Sequence, residues 1–397
     1  GGETRAALAP GVVGDAGAGA NDGQGQGPAA GLVNRDGEYN CFLNVVIQSL
    51  WHLPRFSGAV QLELPDTFGA TRDPDVAVAA SLCEVFAALD AESSSGATGM
   101  VAPTTLRKAL AVLTSGKGAL FSEHEMADAS EALEAIFHAV HRALAPKHGG
   151  ARARRAVSPI KSNSPGRGLF LDQECGYRSI VHECFGMDVE EYMACGECGV
   201  RSRTLRYTKF THLVPATALV LAMEHAEGVI TMEDAMRHID GSDAKACDRD
   251  VGGCGVMNSI KHALGGAGGG DAAPRMFCLG LAWDSASVEK EQIVATLRHV
   301  STTLDLGQVY ERVPKTTPAY ALRCVMCYYG EHYAAFARAD DDDDADANDG
   351  GRWRSFDDAT TKKVGGWDDV VRACEKGRLQ PCVLFYQRGD AAGAAGK

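Results

Sequence analysis

One change of hydrophobic period constrains the fold of this chain more than any other feature. Between about residues 75 and 145 the apolar side chains recur at helical spacing. Val76, Val78, Leu82, Val85, Phe86 and Leu89 share one face, and Leu133, Ile136, Phe137 and Val140 share another on a helix read from Met126 to His141. A further helical segment, 104–110, follows Pro103. From about 170 onward the character changes to short β-like segments at 203–208, 276–283, 319–328 and 382–386, broken by glycine-rich loops such as 264–270. A helical segment after Trp367, carrying Val370, Val371 and Cys374, separates the last two. Helices first and strands later predict an α+β arrangement, with a cleft between the two parts.

Two short stretches at opposite ends carry the chemistry. In 37–44, Cys41 opens an apolar run to Trp51 in which Phe42, Val45, Val46, Ser49 and Leu50 lie on one helical face. A thiol at a helix start feels the positive end of the helix dipole, which favours thiolate. In 329–338, His332 sits in an alternating, strand-like segment. Cys41 and His332 are 291 positions apart (332 − 41), so they can meet only through the fold, as cysteine hydrolases require.

Residues 353–358 read as a strand entering a turn, and a hairpin would set them beside His332. Asp357 or Asp358 then holds the imidazole tautomer that faces the thiol. An oxyanion formed there needs donors: backbone N–H groups of the helix start, or the side-chain amides of Asn34 or Asn40. Gly37 permits close backbone approach, and Tyr333 is a candidate wall of the cleft.

Composition narrows the class. A chain of 397 residues buries a sizeable core, and its net charge of −13 argues against a nucleic-acid footprint. No stretch approaches the roughly 20 apolar residues that span a bilayer. Thirteen cysteines without a secretory signal read as reduced thiols plus a possible metal site, so the protein is expected in the cytoplasm or nucleus. Cys195 and Cys198 have the spacing of a zinc knuckle. The second half of such a site falls to Cys247 and Cys254, whose six-residue gap is wider than a standard knuckle, so zinc and free thiols both stay open. Cys324 and Cys327 lie in a strand, where i and i+3 face opposite sides, and read as core. His182 and Cys184 read as packing residues. Three segments read as peripheral: a Gly/Ala-rich leader (1–30), a basic Ser-Pro linker (147–168) and an acidic hairpin tip from Asp340 to Asp349.

The ordered boxes resemble the catalytic domain of the ubiquitin-specific protease family, papain-like thiol hydrolases that cleave ubiquitin from proteins. The matching residues are Gly31-Leu32-Val33-Asn34 through Cys41-Phe42-Leu43-Asn44 with Gln48-Ser49-Leu50, Asp128-Ala129-Ser130-Glu131, Gly330-Glu331-His332-Tyr333, and Trp353 to Asp358. The resemblance implies a hand-shaped α+β fold over about 31–388: a helical thumb (about 31–170), β fingers (about 171–270) and a β palm (about 271–388), with a tail at 389–397. It also implies Cys41 as nucleophile, His332 as general base, Asp357 as orienting acid, a four-cysteine zinc site at the fingertips, no cofactor for catalysis, and ubiquitin as partner. Departures are two extra residues between Asn34 and Cys41, Asn40 directly before Cys41, Met126-Ala127 where Gln is typical, and Glu331 in place of a second Gly. They leave two readings: a working deubiquitinase, or a ubiquitin-binding scaffold of the same fold.

Overall fold

The structure, a computed structural model, describes residues 30–63, 73–95, 99–117, 120–145, 159–160, 170–171, 177–265, 273–286, 288–339 and 353–389. The leader up to residue 29, all of the basic linker but 159–160, the acidic run 340–349 and the tail from 390 lie outside the described residues.

Among the described residues the thumb contains α1 (Cys41–Trp51), α2 (Pro54–Glu63), α3 (Pro74–Ser95), α4 (Thr104–Thr114) and α5 (Ala129–Ala143), and the short helix Ile180–Phe185 packs into the same core. Every residue of α1 is buried. A helix covered on all sides belongs at the centre of a core, which explains why this run is apolar almost throughout rather than along one stripe. It packs on α2, α5 and the strand His332–Arg338. The helix expected from Met126 starts later. Asp128 has extended backbone (φ −82°, ψ 132°) and its carboxylate accepts from the Glu131 N–H at 2.9 Å, so α5 begins at Ala129 and Met126 stays in a loop.

The palm is an eight-stranded sheet. Its path runs Thr360–Gly365, Trp353–Asp357, His332–Arg338, Tyr320–Tyr329, Gln380–Arg388, Met276–Ala282 and His212–Pro215, with Thr303–Leu304 pairing off the path onto Tyr320–Tyr329. This sheet separates two cores. Cys324 and Met326 face the thumb, while Val325 and Cys327 face a second cluster. The two cysteines therefore lie on opposite faces as their spacing implied, fully buried.

The second cluster is covered by helices Ala216–His225, Met232–Asp240, Lys290–His299 and Trp367–Gly377. Only the last was expected. The others are about ten residues long and bury few residues each, such as Leu219 and Ala222, so their period was drowned by the surrounding β pattern. A local signal existed in Thr231 and Asp234, which form a reciprocal capping box.

The fingers are a six-stranded sheet in the order Pro159–Ile160, Phe170–Leu171, Leu205–Lys209, Met187–Met193, Met257–Leu264, Ala244–Ala246. Their base joins the palm side through backbone bonds, Leu264 N–H to the Glu311 carbonyl and Glu311 N–H to that of His262, both 2.9 Å.

Candidate active site

His332 is set by a tight hairpin. Tyr329 pairs with His332 across Gly330 (φ 49°) and Glu331 (φ 68°). Two consecutive left-handed residues make the kind of turn that matches strand twist, and Glu331 adopts that region without the freedom of glycine. The strand Trp353–Asp357 pairs alongside, Ala335 opposite Phe356, and delivers Asp357. His332 Nε2 lies 2.7 Å from Asp357 Oδ1, and the Tyr329 hydroxyl donates to Asp357 Oδ2 at 3.2 Å. With Nε2 committed to the carboxylate, Nδ1 is the ring nitrogen left for the thiol.

The electrostatics fit that geometry. The Asp357 hydrogen bond, followed by the hydrogen bond and charge of Cys41, pushes His332 up to about 10 against the opposing effect of burial. Burial works against the Asp357 carboxylate, but its bond to His332, the imidazolium charge and the Tyr329 hydroxyl together hold it below the usual range. Burial and the Asp357 charge push the Tyr329 phenol up, so it stays a donor. His332 and Asp357, read from separate segments of the sequence, thus meet, with Cys41 near enough to act on the imidazole charge. Cys41 is the first residue of α1 and is 3% exposed.

Asp358 does something else. It sits 3.8 Å from His332 Nε2, too far for a hydrogen bond, and adopts a left-handed backbone (φ 48°). Its carboxylate receives the side-chain amides of Asn34 and Asn44, each at 2.7 Å, and its carbonyl receives the Leu32 N–H at 3.0 Å. Asp358 is therefore a clasp between thumb and palm, and the choice between the two carboxylates falls on Asp357.

The same clasp corrects the expected oxyanion donors. The Asn34 amide is turned to Asp358 while its oxygen accepts the Asn40 N–H at 2.8 Å, and the Asn40 amide is turned to Glu38 at 3.1 Å. Both are drawn to carboxylates. Tyr333 is a further correction: it is buried instead of lining the cleft, and its hydroxyl reaches Asp128 at 3.3 Å.

Two participants were missed in the sequence. Asn44 is polar in an all-buried helix, one turn after Cys41. Arg107, 3% exposed, spreads its guanidinium over the Phe42 ring at 4.5 Å and donates to the carbonyls of Tyr39, Ser122 and Glu125. A basic side chain one turn before Leu110, on the buried face of α4, was the available signal.

At the other end of the fingers, Cys195, Cys198, Cys247 and Cys254 bring their sulfurs within 4.8 Å of one another, with Cys195–Cys254 and Cys198–Cys247 at 3.5 Å. Four thiolates about 2.3 Å from one tetrahedral ion lie roughly 3.8 Å apart, so this set fits zinc despite the wide gap between Cys247 and Cys254. His182 bonds Asp188 at 3.1 Å and Cys184 is buried in the thumb core, so neither belongs to the set.

Comparisons with known proteins agree with this picture. The family model described as ubiquitin carboxyl-terminal hydrolase matches residues 30–386. Among curated proteins, ubiquitin carboxyl-terminal hydrolase 54 of Mus musculus is 27% identical over 372 residues, covering 90% of this chain and 20% of that protein. Ubiquitin carboxyl-terminal hydrolase 53 of Homo sapiens is 26% identical over 376 residues, covering 91% and 30%. The chain thus spans a fifth to under a third of these relatives. A solved SAGA DUB module of Ubp8, Sgf11, Sus1 and Sgf73 bound to monoubiquitin contains a similar chain, at a TM-score of 0.55 and 16% identity over 91% of this chain and 69% of that one. The same module bound to ubiquitin aldehyde gives 0.55 at 15% identity over 91% and 70%. At that identity the likeness concerns the fold.

Proposed function

The chain belongs to the ubiquitin carboxyl-terminal hydrolase family, and we propose that it is a cysteine-type deubiquitinase acting on the bond after the C-terminal glycine of ubiquitin. The observation that carries the reading is His332 bonded to Asp357 at 2.7 Å, with Cys41 close enough to raise the proton affinity of the imidazole. Cys41 sulfur attacks the carbonyl, and the proton on His332 passes to the leaving amine as the thioester forms. Water then gives a proton to His332 and its oxygen to the acyl carbon, releasing the carboxylate and the thiol. Asp357 fixes the ring and favours the imidazolium through both steps. The Leu43 and Asn44 N–H groups are bonded to the Asn40 carbonyl, so the N–H groups of Cys41 and Phe42 at the start of α1 are the donors for the oxyanion.

A ubiquitin carrying a C-terminal electrophile tests this directly. An adduct that forms on the wild type and is lost in Cys41→Ala supports it; no adduct on folded wild-type protein sinks it. The scaffold reading draws on the near-complete burial of Cys41, and ubiquitin binding without any adduct or turnover selects it.

We further propose that the four fingertip cysteines hold one structural zinc. Metal analysis of purified protein should give about one zinc per chain, lost in Cys198→Ser. Metal-free protein with unchanged thermal stability overturns this second proposal.

A further inference from the structure

The Met126 thioether ends 3.7 Å from the Cys41 sulfur. Met126 is half-buried against the thumb core and lies in the loop 120–128, just before the Asp128 cap. That loop is pinned from several sides. Arg107 donates to the Ser122 and Glu125 carbonyls, and Phe121 stacks on Phe42 with ring centres 6.0 Å apart and planes 18° off parallel. The His124 ring bonds the Gly37 carbonyl at 2.9 Å, and the Tyr333 hydroxyl bonds Asp128. The backbone is therefore fixed, while the methionine side chain, unbranched with three rotatable bonds, is the part free to move.

Attack on a carbonyl requires its carbon to come within roughly 3–3.5 Å of the sulfur. The thioether already stands against the thiol at about that range, and Cys41 is 3% exposed. We infer that Met126 is the residue that controls access to Cys41: its side chain covers the thiol and must swing aside before an acyl group can reach it. The inference rests on reading Cys41 as the nucleophile. It makes Met126 a positioning and specificity residue. Small electrophiles and oxidants meet a screened sulfur, while a docked polypeptide tail can displace a neutral, flexible thioether at the cost of one weak thiol-to-thioether contact and no ion pair.

The full chain is treated with iodoacetamide between about pH 6 and about pH 9, and modification of the Cys41 peptide is followed by mass spectrometry, which separates it from the exposed Cys198 and Cys254. Met126→Ala should speed alkylation about five- to tenfold at every pH, the gain expected when an uncovered state populated to roughly a fifth or a tenth becomes the only state. Met126→Leu, which keeps the bulk, should stay within about twofold of wild type. Met126→Ser is a second truncation if the alanine variant melts early. Equal rates in wild type and both truncations overturn the inference. So does a truncation that shifts the pH midpoint while leaving the plateau rate unchanged, because that assigns Met126 to tuning the thiol. A wild type that forms no adduct with the ubiquitin electrophile refutes the hydrolase reading alone; the alkylation ratio judges the cover independently.

Discussion

Replacing Asp357 by asparagine keeps the shape beside His332 and removes the charge. In the intact site His332 is pushed up to about 10, with the Asp357 bond as the largest cause. Measured from an ordinary histidine near 6.5, that interval corresponds to about 5 kcal/mol in favour of the imidazolium, at about 1.4 kcal/mol per pH unit. Only part belongs to Asp357, because Cys41 contributes as well. Solvent also reaches 45% of the Asp357 side chain and screens the pair, which leaves about 1–2 kcal/mol for the carboxylate charge. The sign is definite. A raised histidine stabilises the fold fully below about 6.5 and loses that contribution as pH climbs through about 10. Asp357→Asn should therefore bring the alkaline limb of ubiquitin-conjugate hydrolysis down by about one pH unit, since His332 must carry a proton for the leaving amine. Rate at neutral pH should fall about a hundredfold from the loosened ring. The assay is kcat/KM against pH on a fluorogenic ubiquitin substrate, paired with NMR titration of the His332 ring. An alkaline limb and ring titration that stay within about 0.3 pH unit of wild type refute the assignment.

Asp358→Ala removes two amide-to-carboxylate bonds and puts alanine at φ 48°, so urea unfolding should show a loss of about 3 kcal/mol, while Asp358→Asn, which tolerates that backbone, should lose less. Glu331→Gly relieves a left-handed glutamate in the His332 turn and should stabilise by about 1 kcal/mol in the same assay without moving the pH profile. His212 is fully buried and kept neutral down to about 3 by burial and the nearby Lys209 charge. An unfolded histidine takes up its proton near 6.5, so stability should be whole above about 6.5 and fall between there and about 3, by up to about 5 kcal/mol, with His212→Gln flattening the slope.

The helices of the thumb, the palm strands, the place of Cys41 at a helix start and the pairing of His332 with Asp357 were legible because each rests on local pattern and order: an apolar run after Cys41, alternation around His332, a strand ending in two aspartates. The amides of Asn34 and Asn40 were misassigned for a physical reason. Their direction is decided by Asp358, more than 300 residues away, and by Glu38, and sequence spacing does not encode which carboxylate an amide finds. Cys247 and Cys254 illustrate the same limit from the other side. Their gap looked too wide, yet a short 3-10 turn at Arg249–Val251 ending in Gly252 (φ 86°) folds the intervening residues back so the sulfurs meet Cys195 and Cys198. Met126 was visible only as a departure from a motif; that its sulfur lies against that of Cys41 depends on the Arg107 anchor, a tertiary contact.

The bonds that Asp358 makes to Leu32, Asn34 and Asn44 act like the spine of a book. Two covers bound along one edge separate most at the opposite edge and least at the binding. Breathing of the thumb against the palm should thus leave the sulfur-to-imidazole spacing almost constant while widening the far rim of the groove. A partner that pries the halves apart would then alter how firmly a polypeptide is gripped before it altered the chemistry.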